Sequence, residues 1–113
     1  MPVGDPIEIG PGRTAELFAA GATLIDVREP YEREAGHIAG SRHIERGRLA
    51  AAAGAIDRDL PVVFYCRVGA RSAMAADAFR NAGFDAHTLA GGLLAWVDAG
   101  LPLEPEGSHV AAH

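Results

Sequence analysis

The residues with the most chemistry to offer lie in one short stretch, Cys66-Arg67-Val68-Gly69-Ala70-Arg71-Ser72. Cys66 is the only cysteine, which leaves no intrachain disulfide and no multi-cysteine zinc site. A lone cysteine is ordinarily a buried small hydrophobe. The neighbours of this one point elsewhere. It ends a β-branched and aromatic run, and Arg67 and Arg71 both follow within five residues. A short loop between a strand and a helix turns backbone N–H groups inward and forms an anion cradle. The helix N-terminus adds partial positive charge. With Arg67 and Arg71, these features favour thiolate over thiol, and Gly69 supplies the backbone freedom for a tight curl. The chemistry predicted is nucleophilic attack by a sulfur anion that the loop itself activates.

Loop length narrows that chemistry. Four residues, Arg67 to Ala70, separate Cys66 from Arg71. A cysteine phosphatase needs a longer loop, because its cradle must surround a tetrahedral phosphate. The shorter loop predicts a pocket fitted to a single sulfur atom.

Other polar residues carry weaker signals. Asp26 is a charge at the carboxyl end of the apolar run Thr23-Leu24-Ile25-Asp26-Val27. It reads either as a structural carboxylate that satisfies backbone donors or as an orienting group paired with Arg28 or Arg71. Arg28 and Glu32 are spaced for an ion pair, supporting or merely solvated. Among the five histidines only His109 and His113 have the i, i+4 interval, and they lie in the C-terminal tail, so no metal site is expected. His37 reads as a structural hydrogen-bonder, and Trp96 as core.

These residues need a scaffold, and the chain supplies alternating elements. Ile7–Ile9 reads as a short strand. Pro11 opens a helix whose inner face holds Ala15, Leu17, Phe18 and Ala19, and Gly21 ends it. Residues 23–27 read as a strand, 29–35 as a short helix, His43-Ile44 as a brief strand, and 49–53 as another short helix. Pro61-Val62-Val63-Phe64-Tyr65 is the clearest strand, apolar throughout as a central strand covered on both faces should be. Ser72 is placed to cap the next helix, which runs to about Ala82 with Ala73, Ala76, Phe79 and Arg80 at helical spacing. Ala86–Leu89 is a last strand. Gly91-Gly92 turns into a final helix with Leu93, Leu94, Trp96 and Val97 facing inward. Alternation of this kind predicts an α/β layer fold with a mainly parallel sheet, whose ligands sit at the carboxyl ends of the strands. Asp26-Val27-Arg28 and Cys66 both lie at such ends.

At 113 residues the chain fits one domain, with residues 1–6 and 104–113 expected as flexible ends around a body at 7–103. Ten basic against fifteen acidic residues give a net charge of −5, which disfavours non-specific nucleic-acid binding and requires any anion site to be built locally. No apolar run is long enough to span a bilayer, and Met1–Gly12 lacks the pattern of a secretory signal. The expected compartment is the cytoplasm, where a thiol stays reduced.

The Cys66–Ser72 stretch resembles the active-site loop of the rhodanese family. Asp26-Val27-Arg28-Glu29-Pro30 and Gly36-His37-Ile38-Ala39-Gly40-Ser41 are similar to the family's upstream signatures. Gly91-Gly92-Leu93-Leu94-Ala95-Trp96, with Ala99-Gly100-Leu101-Pro102, is similar to its C-terminal one. The four motifs stand in order across residues 7–103. Ala39, Ser41 and Ala70 depart from residues common in the family. The first two fall in a connecting turn, and the last bears on donor preference. The resemblance implies a three-layer α/β/α sandwich around a five-stranded, mainly parallel sheet. It also implies sulfur transfer through a Cys66 persulfide, from a small anionic donor such as thiosulfate to a thiophilic acceptor: cyanide in an assay, a thiol or protein in a cell. Backbone groups from Arg67 through Val68, Gly69, Ala70 and Arg71 to Ser72 would hold the persulfide, and Arg71, with Arg67, would bind the donor. Asp26 and Arg28 would support the loop, and no cofactor is implied. A protein-to-protein sulfur carrier fits the same residues. A non-catalytic binding module fits less well, because such modules lack the cysteine.

Overall fold

The computed structural model describes residues 4–113. Five short strands form one parallel sheet: β1 (Glu8–Ile9), β2 (Thr23–Asp26), β3 (Arg42–His43), β4 (Val62–Tyr65) and β5 (Ala86–Leu89), in the order β1-β5-β4-β2-β3. The helices are α1 (Pro11–Ala19), α2 (Pro30–Ala35), α3 (Leu49–Ala52), α4 (Ala70–Asn81) and α5 (Gly92–Asp98), with single 3-10 turns at Arg46–Arg48 and Ala53–Ala55 flanking α3.

The apolar run of β4 takes the centre of the sheet because a central strand is covered on both faces. The period of two then assigns its side chains. Val62, Phe64 and Cys66 pack with Ile25 and Val27 against Leu49 of α3 and Ala75, Ala76 and Phe79 of α4. Val63 and Tyr65 face the other way, onto Leu24, Leu89 and Leu93 and Trp96 of α5, with Leu17 and Phe18 of α1 alongside. The result is a three-layer α/β/α sandwich. Each wholly buried side chain such as Val62 or Phe64 contributes roughly 1.5–3 kcal/mol from burial. β2 leads outward to β3, whereas β4 leads the opposite way to β5. The chain therefore diverges between the carboxyl ends of β2 and β4, where open α/β sheets hold their ligands.

Several details differ from the sequence reading. The helix expected to be capped by Ser72 starts at Ala70, because Gly69 (φ 107°) turns the chain through the left-handed region three residues before Ser72. In α5 only Leu93 and Trp96 of the expected inner face are buried, and Leu94 and Val97 are exposed, since a helix of 7 residues presents a narrow stripe to the sheet. In α1, Ala19 is exposed and Thr14 is buried.

Of the N-terminal segment 1–6, residues 1–3 lie outside the described residues. Asp5 accepts two hydrogen bonds from Arg13 (2.9 and 3.0 Å), and the Pro6 carbonyl sits 2.7 Å from Nδ1 of buried His87. The segment 104–113 lies along α2. Glu104 and His37 exchange two backbone hydrogen bonds (2.7 and 2.9 Å), and the His109 N–H donates to the Ala35 carbonyl (3.1 Å). The Tyr31 hydroxyl donates to the Ala112 carbonyl (3.1 Å). Gly36 permits this approach, because a Cβ there would stand 2.5 Å from the His109 oxygen.

Candidate active site

β4 delivers Cys66 to the divergence point, and the left-handed turn at Gly69 folds the loop back over its sulfur. The thiol lies wholly buried at the floor. The Gly69 N–H donates to Sγ at 3.1 Å, and the Ser72 hydroxyl lies 3.5 Å away. Burial pushes the Cys66 thiol up. The Ser72 hydroxyl and the backbone N–H groups of Ser72, Gly69 and Arg71 outweigh that burial, and the thiol ionises below its ordinary value. Of the predicted loop, Val68 and Ala70 are exposed, Arg67, Gly69 and Arg71 are half-buried, and Ser72 is buried beneath the helix.

Ser72 has one proton and three neighbours: Cys66 Sγ, the Gly69 carbonyl at 3.2 Å and the Thr88 hydroxyl at 2.7 Å. When Thr88 donates to Ser72, the Ser72 proton is free to face the thiolate. The sequence reading missed Thr88. Its signal was a hydroxyl next to His87 in the short strand that runs beside β4.

Two ion pairs brace the loop: one, Asp26 with Arg28, is among the pairings expected for Asp26, and the other replaces the Arg28–Glu32 pair that spacing suggested. Arg28 pairs with Asp26, not Glu32, through two bonds of 2.8 Å, with both side chains wholly buried. Arg28 also donates to the Gly36 carbonyl (2.7 Å). Glu32 instead receives Arg71 in a bidentate pair of 2.7 and 2.9 Å, and it accepts the Glu29 N–H at 3.1 Å. Burial pushes the Glu32 carboxyl up, but Arg71 and that N–H pull it further down, so it ionises below the usual carboxylate range. The exchange of partners follows from position. Asp26 ends β2 two residues before Arg28, while Glu32 on α2 faces the first turn of α4. Behind Asp26, Tyr65 is pushed up to about 12 by burial and the Asp26 charge, and its hydroxyl sits 2.9 Å from Ser41 Oγ.

The Gly91-Gly92 turn is also part of the site. The Leu93 N–H donates to the Cys66 carbonyl (2.8 Å) and the Leu94 N–H to that of Arg67 (3.2 Å). A Cβ on Gly92 would stand 2.5 Å from the Arg67 carbonyl carbon and oxygen, so α5 sets the height of the loop.

Beside the loop lies an open depression of about 340 Å³, lined among others by Val27, Glu29, Glu45, Arg46 and Arg71. At its edge Glu29, Glu32 and His113 bring ligand-type atoms within 4.8 Å, but both Glu32 oxygens are already engaged by Arg71. Among the described residues, no helix is long and apolar enough to cross a membrane.

Comparison with known proteins gives a consistent picture. A family model described as a rhodanese-like domain matches residues 11–99. The chain is 39% identical over 89 residues to the thiosulfate sulfurtransferase GlpE of Pseudomonas aeruginosa, covering 78% of this chain and 81% of that protein. The crystal structure of a rhodanese-related protein from Thermoplasma volcanium is similar with a TM-score of 0.80 and 31% identity, covering 87% of this chain and 97% of the other. A Rhodopseudomonas palustris structure, described as a protein of unknown function and possible tyrosine phosphatase, is similar with a TM-score of 0.71 and 31% identity over 84% of this chain and 82% of the other.

Proposed function

Because the chain belongs to the rhodanese-like domain family, we propose that it is a sulfurtransferase that carries sulfane sulfur on Cys66. The Cys66 thiolate attacks the outer sulfur of thiosulfate. A sulfur–sulfur bond forms to Cys66, the donor's own sulfur–sulfur bond breaks, and sulfite leaves with the electron pair. The persulfide anion then gives its outer sulfur to a thiophilic acceptor, cyanide or a thiol, and Cys66 returns as thiolate. No general base is required, because the nucleophile is ionised by its surroundings.

The observation that carries this reading is the placement of the Gly69 N–H (3.1 Å) and the Ser72 hydroxyl (3.5 Å) against one buried sulfur, with the Arg71 and Ser72 N–H groups adding to the pull that favours the thiolate. Preorganised donors of this kind stabilise an anion without reorganising during reaction. They serve the resting thiolate and the persulfide alike. Asp26 and Arg28 hold the β2 end of the site, and Arg71, tied to Glu32, holds the α4 end.

The test is direct. Purified protein incubated with thiosulfate should gain one sulfur atom on Cys66, seen by intact and peptide mass spectrometry, with release of one equivalent of sulfite. Cyanide or a thiol should remove it. Cys66→Ser should fold, gain no sulfur and show no turnover. Turnover near wild type in that variant would remove the reading.

A further inference from the structure

Three arginines are among the residues lining the depression beside the Cys66 loop, Arg28, Arg46 and Arg71, and the side chain of Arg28 is wholly buried. Arg28 is cancelled by Asp26 and Arg71 by Glu32. Among the described residues, the exposed Arg46 side chain has no hydrogen-bond or ion-pair partner. Two carboxylates, Glu29 and Glu45, line the same depression, with His113 at 3.6 Å from Glu29. Arg46 is therefore the one lining arginine whose charge no carboxylate holds. With Arg46 one of the two carboxylates is still uncancelled, so Arg46 offers an anionic donor a local cation rather than a positive mouth, and without it two negative charges would face the donor.

Position supports the same conclusion. The Arg46 N–H donates to the Val27 carbonyl at 3.1 Å, which fixes it at the end of β2. Val27 packs with Cys66, Leu49 and Ala75 in one cluster. Arg46 also lines the adjoining apolar depression with Leu49, Met74 and Ala75. It thus stands at the border of two depressions whose walls include the residues packed around Cys66. We propose that Arg46 is the donor-binding, specificity-determining cation of this site, receiving the charged sulfonate end of thiosulfate while the outer sulfur reaches Cys66. The inference rests on the sulfurtransferase reading above. It moves to Arg46 the anion-binding role that the resemblance implies for Arg71 with Arg67, since the Arg71 guanidinium is already held by Glu32 through two bonds.

The experiment measures the rate of persulfide formation in wild type, Arg46→Ala and Arg46→Lys. The donors are thiosulfate, a dianion, and methanethiosulfonate, a monoanion, each at low and high ionic strength. Loss of one charge-assisted contact should raise the KM for thiosulfate about tenfold in Arg46→Ala, with kcat little changed. Arg46→Lys should recover most of the loss. The defect should shrink with methanethiosulfonate and in high salt, where exposed charges are screened. A wild-type KM in Arg46→Ala overturns the inference and leaves the sulfurtransferase reading standing. Equal losses with both donors at every salt concentration also overturn it, because they report a structural effect. A wild type inert to both donors overturns the sulfurtransferase reading itself.

Discussion

Glu32, wholly buried on α2, grips Arg71 in the first turn of α4 through two parallel bonds of 2.7 and 2.9 Å. The pair joins the element that follows β2 to the helix that carries the active-site loop. It therefore fixes the distance across the divergence point rather than presenting a free charge to solvent.

Its two halves should fail unequally. Arg71→Ala leaves a buried carboxylate without its partner and should cost about 3 kcal/mol in urea unfolding. Glu32→Gln removes the charge that must be buried and should cost less. Glu32 ionises below its unfolded value of ~4.3, so its stabilisation is full above that value and is lost as pH falls through the folded pKa. Glu32→Gln should accordingly flatten the acid limb of stability against pH. An Arg71→Ala loss within the ~0–1 kcal/mol of an exposed pair would show that the bond does not brace the loop.

The thiol offers a second test. Alkylation of Cys66 by iodoacetamide should rise with pH through a midpoint below the ~8.5 of a free thiol, because the folded state favours the thiolate. Ser72→Ala should move that midpoint upward, and Thr88→Val should move it less. Since Cys66 is wholly buried, a bulky aromatic disulfide should react far more slowly with native than with unfolded protein. A midpoint at or above the free-thiol value would show that the loop does not activate Cys66.

How much of this was legible in the sequence depends on the range of the contact. β4 announces itself by composition, and the period of two along Val62–Cys66 places the sulfur on the α4 side of the sheet. The loop is local, so its cradle can be read from a glycine, a helix start and a cysteine. The ion pairs are of both kinds. Asp26 takes Arg28, a local pairing the sequence offered beside Arg28 with Glu32, whereas Glu32 meets Arg71, 39 residues away. Only the sheet order decides such contacts. The seat of Gly92 against the Arg67 carbonyl and the run of residues 104–113 along α2 are of the same kind, as both depend on how separate backbones approach.

Gly92 should be the least replaceable glycine near the site. Its φ of 62° and the 2.5 Å approach of a Cβ to the Arg67 backbone combine strain with a collision against main chain. Gly92→Ala should therefore cost about 1–3 kcal/mol or more and should also slow sulfur transfer by displacing the loop. Gly47→Ala, where a Cβ meets nothing within 4 Å, is the control. Similar behaviour of the two variants would mean that α5 does not set the loop.

Loop size separates sulfur from phosphate chemistry, which matters because one structural relative is described as a possible tyrosine phosphatase. Four residues lie between Cys66 and Arg71, and the Gly69 N–H already reaches the sulfur at 3.1 Å. A short loop whose N–H already bonds Sγ suits one added sulfur atom better than a phosphoryl group with its oxygens. Wild-type protein should show no significant hydrolysis of an aryl phosphate under conditions where it transfers sulfur. Inserting one glycine after Gly69 should widen the cradle. Sulfur transfer should then fall, because the N–H groups no longer meet at the persulfide. Vanadate or phosphate should gain affinity, without rapid turnover, because the insertion positions no general acid for the leaving group. Both proteins are assayed with both substrates. Cleavage of aryl phosphate by the wild type through Cys66, with no persulfide formed from thiosulfate, would leave the fold intact and make the assigned chemistry wrong.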